Sequence, residues 1–149
     1  IMIILGTANT FGRILTMQKV PGHIAAFFQS ITDSRIVILL LINLLLLFVG
    51  CFMETNAAII ILAPIFLPVV QAMGVDPVHF GIVMVINLAI GFITPPLGVN
   101  LFVAANVAQT TLGKICRGIV PIIGVMILDL MLFTYLEPIV MFLPRLVYG

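Results

Sequence analysis

Long apolar runs alternate with short clusters of polar and helix-breaking residues along the chain. Residues 1–19 read as an apolar helix dotted with Gly6, Thr7, Asn9, Thr10, Gly12 and Arg13, a density of small and polar side chains that suits contact with other helices rather than lipid. Lys19-Val20-Pro21-Gly22 ends it. Residues 21–32 place Ile24, Phe27, Phe28 and Ile31 at the i, i+3, i+4, i+7 spacing of one helical face. That piece is too short to cross a bilayer and is expected in the interface plane, with His23 on its wet side. Thr32-Asp33-Ser34 offers capping side chains ahead of Arg35.

Residues 36–73 hold two aliphatic runs joined by Met53-Glu54-Thr55-Asn56. Two readings are open. One is a pair of short spanning helices with a tight polar loop. The other is a re-entrant helical hairpin whose tip sits near the midplane, both arms near the minimum spanning length and the second kinked by Pro64 and Pro68. Thr55 or Asn56 is expected to cap the second arm. Gly74-Val75-Asp76-Pro77 is a turn with Gly74 as C-cap, Asp76 as N-cap and Pro77 at the first helical position, which leaves His79 at a wet helix end. Residues 78–108 would be one spanning helix but for the run Gly91-Phe92-Ile93-Thr94-Pro95-Pro96-Leu97-Gly98-Val99-Asn100. Pro95 and Pro96 supply no N–H, so carbonyls one turn earlier lose their donors. Thr94 is placed to cap the second half. After a polar connector at 109–118, residues 119–143 read as the last spanning helix, carrying Asp129 and Glu137 and closed by Pro144-Arg145.

Composition fixes the class. The 149 residues are 63% hydrophobic and 7% charged, with a mean hydropathy of +1.39, which implies an all-α polytopic membrane protein. A net charge of +1 without a basic tract excludes a polyanion such as nucleic acid as a partner. Cys51 and Cys116 lie in or beside apolar stretches without CxxC spacing and read as packing residues. The chain opens inside an apolar run without a start methionine, so it is expected to be part of a longer polytopic protein. Basic residues leave orientation undecided: Lys19, Arg35 and Arg145 oppose Lys114 and Arg117 if the hairpin is re-entrant.

The strongest chemical feature is the succession of two discontinuous elements, the tip at Glu54-Thr55-Asn56 and the break from Gly91 to Asn100. Unwound helix ends offer oxygen ligands to a hard cation, and half-helix N-termini near Ala57 and Pro95 suit an anionic group. Taken singly, each element also reads as a proline kink or an exposed loop. Asp129, inside a span, reads as a relay or an ion-pair partner, while Arg13 either snorkels or faces a cavity. No Ser/His pair, HExxH or paired catalytic aspartates supports an intramembrane enzyme. A structural or assembly subunit would need no midplane breaks, and an ordinary channel is a further alternative.

Four stretches carry a family resemblance: Ala8-Asn9-Thr10-Phe11-Gly12-Arg13-Ile14-Leu15-Thr16; Gly50-Cys51-Phe52-Met53-Glu54; Ile61-Leu62-Ala63-Pro64-Ile65-Phe66-Leu67-Pro68; and Gly74-Val75-Asp76-Pro77-Val78-His79-Phe80-Gly81 continuing to Thr94-Pro95-Pro96-Leu97-Gly98-Val99-Asn100-Leu101-Phe102-Val103. In these the chain resembles the large membrane subunit of tripartite ATP-independent periplasmic (TRAP) transporters. The resemblance implies an elevator-type secondary transporter of two inverted repeats, driven by Na⁺ and located in the bacterial inner membrane. It implies that this chain is the C-terminal part, with the second re-entrant hairpin at 36–73, a broken helix at 78–108 and an arm helix at 21–32. The implied partners are a small membrane subunit and a periplasmic substrate-binding protein, besides the lipid bilayer, and the implied substrates are C4-dicarboxylates, sialic acid, sugar acids or keto acids. Glu54 stands where the family often has Asp. On this basis Glu54, Thr55, Asn56, Gly91, Thr94 and Gly98 are expected around Na⁺, and Thr94, Pro95 and Asn100 around the substrate. No catalytic residue and no organic cofactor are expected, Na⁺ being the coupling ion.

Overall fold

A computed structural model describes residues 2–31, 34–95 and 98–148. Among the described residues the chain forms eight α-helices and no strand: α1 (Met2–Met17), α2 (Val20–Ile31), α3 (Arg35–Phe52), α4 (Thr55–Ala72), α5 (Pro77–Phe92), α6 (Val99–Val107), α7 (Leu112–Tyr135) and α8 (Glu137–Tyr148). Three of them, α3, α4 and α7, are long and apolar enough to cross a membrane.

Several local expectations need correction. The first turn falls at Gln18–Lys19, where Lys19 takes φ +56, not at Pro21-Gly22. Pro21 instead sits in the first turn of α2, where a missing N–H has no helical acceptor to serve. On α2, Ile24 packs against the core and Phe27 is exposed; the side chains of Phe28 and Ile31 lie outside the described set, as do Thr32 and Asp33. Gly74 takes φ +74 one position beyond the C-cap Met73. Asp76 caps α5 as expected, its carboxylate accepting from the N–H groups of Val78 (2.8 Å) and His79 (3.3 Å). The last span starts within the expected connector, at Leu112, and is interrupted at Leu136. Pro138 withholds the N–H that would continue it, and α8 then runs through Pro144 instead of stopping there. Glu137 opens α8, where helix polarity favours a negative charge. It pairs with Arg145 (3.1 Å) and Arg35 (3.6 Å).

The central element is α5. On one side it meets α3 and α4, whose Ile42, Leu46, Ala58, Phe66 and Val70 form one core with Phe80, Met84 and Leu88. On the other, Val83 and Ile90 pack on Leu130 of α7. The helices α1 and α2 rest on α4. The arms α3 and α4 make little contact with each other; α3 lies along α5, and α4 against α1, α2 and α5. Within lipid this packing gains nothing from excluding water, so close van der Waals approach and interhelical hydrogen bonds must hold it.

Candidate functional site

The backbones of α3 and α5 meet directly at two glycines. A Cβ built on Gly91 would lie 2.7 Å from Gly50 Cα and 2.7 Å from the Leu47 carbonyl oxygen; one on Gly50 would lie 2.9 Å from the Leu88 oxygen. Only glycine fits at either position. Gly50 stands two residues before α3 ends at Phe52, and Gly91 one residue before α5 ends at Phe92. Asn43 pairs with Asn87 farther back along the same two helices, so α3 and α5 run parallel and their C-terminal ends converge. Of the last carbonyls, Val49, Ile90 and Gly91 accept from the turn N–H groups of Met53, Ile93 and Thr94; those after them have no further helical turn, and both macrodipoles point partial negative charge at this place. Such an end suits a cation.

From this crossing the chain turns twice into new helices. Glu54 caps α4: its Oε2 accepts from the Ala57 N–H (3.0 Å) and its Oε1 from Asn56 Nδ2 (2.7 Å). The cap is therefore Glu54, not Thr55 or Asn56. Thr55 is instead the first residue of α4, because the extended residue just before the first turn is the one whose side chain reaches back to free N–H groups. The Ala57 N–H, and after it the Asn56 N–H, hold the Glu54 carboxyl below the usual carboxylate range. The second turn leads to α6, capped by Gly98 at φ +27, where a Cβ would lie 3.0 Å from the Thr94 oxygen. Thr94 does not cap α6; its hydroxyl donates back to the Ile90 carbonyl (2.6 Å). Thr94 borders a mostly apolar hollow of about 530 Å³ with Leu41, Leu47, Phe48, Cys51 and Ile127. Pro95 is half-buried in the break, Pro96 and Leu97 lie outside the described residues, and Asn100 is exposed on α6. Glu54 and Asn56 are thus joined at the tip, Gly91 touches the tip's own helix, and Thr94 and Gly98 face each other across the break. Asn100 joins none of these contacts among those described.

Sequence reading missed a second feature. Asn87 Nδ2 donates to Asn43 Oδ1 (2.8 Å), Asn43 Nδ2 to Thr134 Oγ1 (2.8 Å), and Thr134 Oγ1 to the Leu130 carbonyl (2.7 Å). All three side chains are buried. The directed chain ties α3, α5 and α7 together one to two turns behind the glycine crossing. His79 adds to it. Only 1% exposed, it is not at a wet end: its Nε2 donates to the Phe133 carbonyl (2.8 Å), replacing a donor that the α7–α8 break removes. The clue available in the sequence was an asparagine at 43 and at 87 inside otherwise apolar runs.

Elsewhere, Arg13 is exposed beside a hollow of about 410 Å³ between α1 and α4, and Cys51 and Cys116 are separate thiols on α3 and α7. Among the described residues there is no His, Cys, Asp and Glu group able to hold a metal ion in the manner of a structural or catalytic metal centre; the oxygen-rich ends described above are of a different kind.

Comparison with known proteins gives a consistent family. Residues 1–139 match the family described as the tripartite ATP-independent periplasmic transporter, DctM component. The chain is 50% identical to the isethionate TRAP transporter permease protein DctMQ of Oleidesulfovibrio alaskensis, over 95% of this chain and 22% of that protein. It is 40% identical to the C4-dicarboxylate TRAP transporter large permease protein DctM of Pseudomonas aeruginosa (97% and 34%). It is 38% identical to the sialic acid TRAP transporter large permease protein SiaM of Vibrio cholerae (99% and 34%). It therefore spans at most about a third of the length of these relatives. The chain belongs to the DctM family of TRAP transporter large permeases.

Proposed function

We propose that this chain forms half of the ion and substrate site of a Na⁺-coupled secondary transporter that imports an organic anion. The observation that carries this reading is the Gly50–Gly91 contact, which brings two helix C-termini together beside two chain reversals. Na⁺ needs several oxygen ligands and no acidic cluster. Backbone carbonyls at the ends of α3 and α5, with the Thr94 hydroxyl, supply them. Because both Glu54 oxygens are engaged by N–H donors, its role here is to preorganise the tip electrostatically, with direct ligation secondary. The free N–H groups at the start of α6 and the nearby Asn100 suit the anionic end of a substrate.

In this reading α3 and α4 form a re-entrant hairpin. At 18 residues each they reach about 27 Å, barely the thickness of the hydrocarbon core. The hairpin, broken helix and α7 would move as an elevator against a scaffold to which α2 is the arm. A second, inverted copy of the unit would complete the site. The relatives' names give isethionate, C4-dicarboxylates and sialic acid as cargo. Isethionate carries a sulfonate and the other two carboxylates, so the shared recognition element is an oxyanion. A carboxylate remains the assigned class, and a sulfonate is the nearest variant. The partners in this scheme are a periplasmic binding protein and a small permease subunit, separate or fused, in the bacterial inner membrane.

The test is uptake into proteoliposomes holding the full-length permease, its small subunit and the binding protein. An inward Na⁺ gradient should drive accumulation that K⁺ cannot replace. Accumulation of equal size without Na⁺ refutes the reading. Within the same assay, Thr94→Ala and Glu54→Ala should each raise the Na⁺ concentration for half-maximal uptake while the protein stays folded. For Glu54→Ala, loss of the cap also lowers stability, visible in thermal unfolding. Unchanged Na⁺ dependence in both variants removes the tip and break from the ion site.

A further inference from the structure

The face of α7 turned away from α5 carries Ile122, Val125, Asp129 and Leu132, all exposed. Their spacing of 3, 4 and 3 is that of a helix–helix seam. The opposite face, with Ile123, Leu130 and Thr134, is the one packed on the bundle. A seam of this pattern would be unremarkable on a lipid-facing helix except for the carboxylate at its centre. Asp129 is six residues from the end of α7 at Tyr135, about 9 Å along the axis, too deep for its short side chain to reach the headgroups. A charged group at that depth is expensive unless it meets a basic or hydrogen-bonding partner. Among the described residues no hydrogen bond or ion pair to Asp129 is present.

We propose that this seam is the docking face for a membrane helix from the remaining two-thirds of the large permease, and that this helix presents a lysine, an arginine or a neutral hydrogen-bond donor to Asp129. Lipid is a poor occupant because it offers the carboxylate no donor. A second copy is disfavoured by symmetry. Copies inserted with the same orientation would meet through a two-fold axis along the membrane normal, and a seam centred on Asp129 would set two carboxylates face to face. The rest of the large permease accompanies this region in every relative compared above, each of which is about three times its length or more. The inference does not depend on Na⁺ coupling.

The experiment is nitroxide labelling of the full-length large permease, purified without other subunits in lipid nanodiscs and carrying single cysteines in place of Val125, Leu132 or Val120. Val120 lies on the other side of α7 and is exposed; it is nearer in depth to 125 than to 132, so the 120–125 comparison carries the wild-type result and the Asp129 variants carry the result at 132. Collision with dissolved oxygen should be several-fold lower at 125 and 132 than at 120. Asp129→Leu should raise collision at 132 toward the level at 120, and Asp129→Asn, which still hydrogen-bonds, should not. Equal, high collision at all three positions means that lipid covers the seam and overturns the proposal. So does protection that appears only when a small subunit is added, or spin–spin broadening between labels at 125, which would mark a second copy.

Discussion

Gly91→Ala in the full-length permease is expected to lower thermal stability by about 1–3 kcal/mol, the usual cost of overpacking a tight contact, and to weaken the Na⁺ dependence of uptake at least tenfold. The added methyl would sit 2.7 Å from Gly50 Cα, 2.7 Å from the Leu47 oxygen and 2.8 Å from the Gly50 carbonyl carbon. All three are backbone atoms, so no side-chain rotation relieves the clash. The helices must separate or slide, and either motion displaces the two C-terminal ends that the site needs. Gly124→Ala is the matched control. Nothing lies within 4 Å of a Cβ there, so alanine should be neutral or slightly stabilising, given its better helix propensity. Differential scanning fluorimetry and Na⁺-titrated uptake on the two variants check this. A Gly91→Ala protein with wild-type stability and Na⁺ response would mean that the α3–α5 contact is looser than described.

Asn87→Leu is expected to cost about 1–3 kcal/mol, because it leaves Asn43 Oδ1 without a donor at a position only 1% exposed. Interhelical hydrogen bonds measured in membranes average nearer ~0.6 kcal/mol, which favours the lower part of that range. The diagnostic variant is the double substitution Asn43→Leu with Asn87→Leu. It removes both partners together, and Thr134 keeps its bond to Leu130. The double variant should therefore be less destabilised than the sum of the single ones, by a coupling of about 0.5 kcal/mol or more. Strict additivity would show that the two amides do not bond. Because the pair sets the register in which Gly50 meets Gly91, even a stable double variant should bind Na⁺ less tightly.

What sequence revealed and what it concealed divide along the range of the interaction. The Gly74–Pro77 turn and the break after Gly91 were legible because glycine, proline and aspartate act on their own backbone. The TRAP-like motifs were likewise legible as contiguous strings, and the family match supports them. Errors arose where a short-range rule was given the wrong residue. Glu54 rather than Thr55 caps α4, since cap choice depends on which residue is extended. Thr94 turns back to Ile90 instead of forward to α6. The polarity of 109–118 reads as a connector, yet polarity at a membrane edge is compatible with a helix, and α7 begins at Leu112.

Long-range partners were not legible at all. Asn43 meets Thr134 across 91 positions and Asn87 across 44. Hydropathy records each asparagine only as a dip. His79 was placed in water by its position next to a turn, whereas packing of α5 against the end of α7 buries it. Gly91 stands out in the sequence as part of the helix break. Its partner Gly50 was visible only as a gap in an aliphatic run, because nothing local says which two glycines will touch.

The most direct measurement is thermal unfolding of the purified full-length permease titrated with Na⁺ at constant ionic strength, with K⁺ or choline making up the balance. A ligand that binds the folded state adds stability of about 1.4 kcal/mol for each tenfold rise in concentration above its dissociation constant. The account predicts a Tm that climbs with Na⁺ but not with K⁺, and a climb that is reduced in Thr94→Ala and lost in Gly91→Ala. A Tm that is flat in Na⁺, or that rises equally with Na⁺ and K⁺, contradicts a Na⁺ site at the meeting ends of α3 and α5.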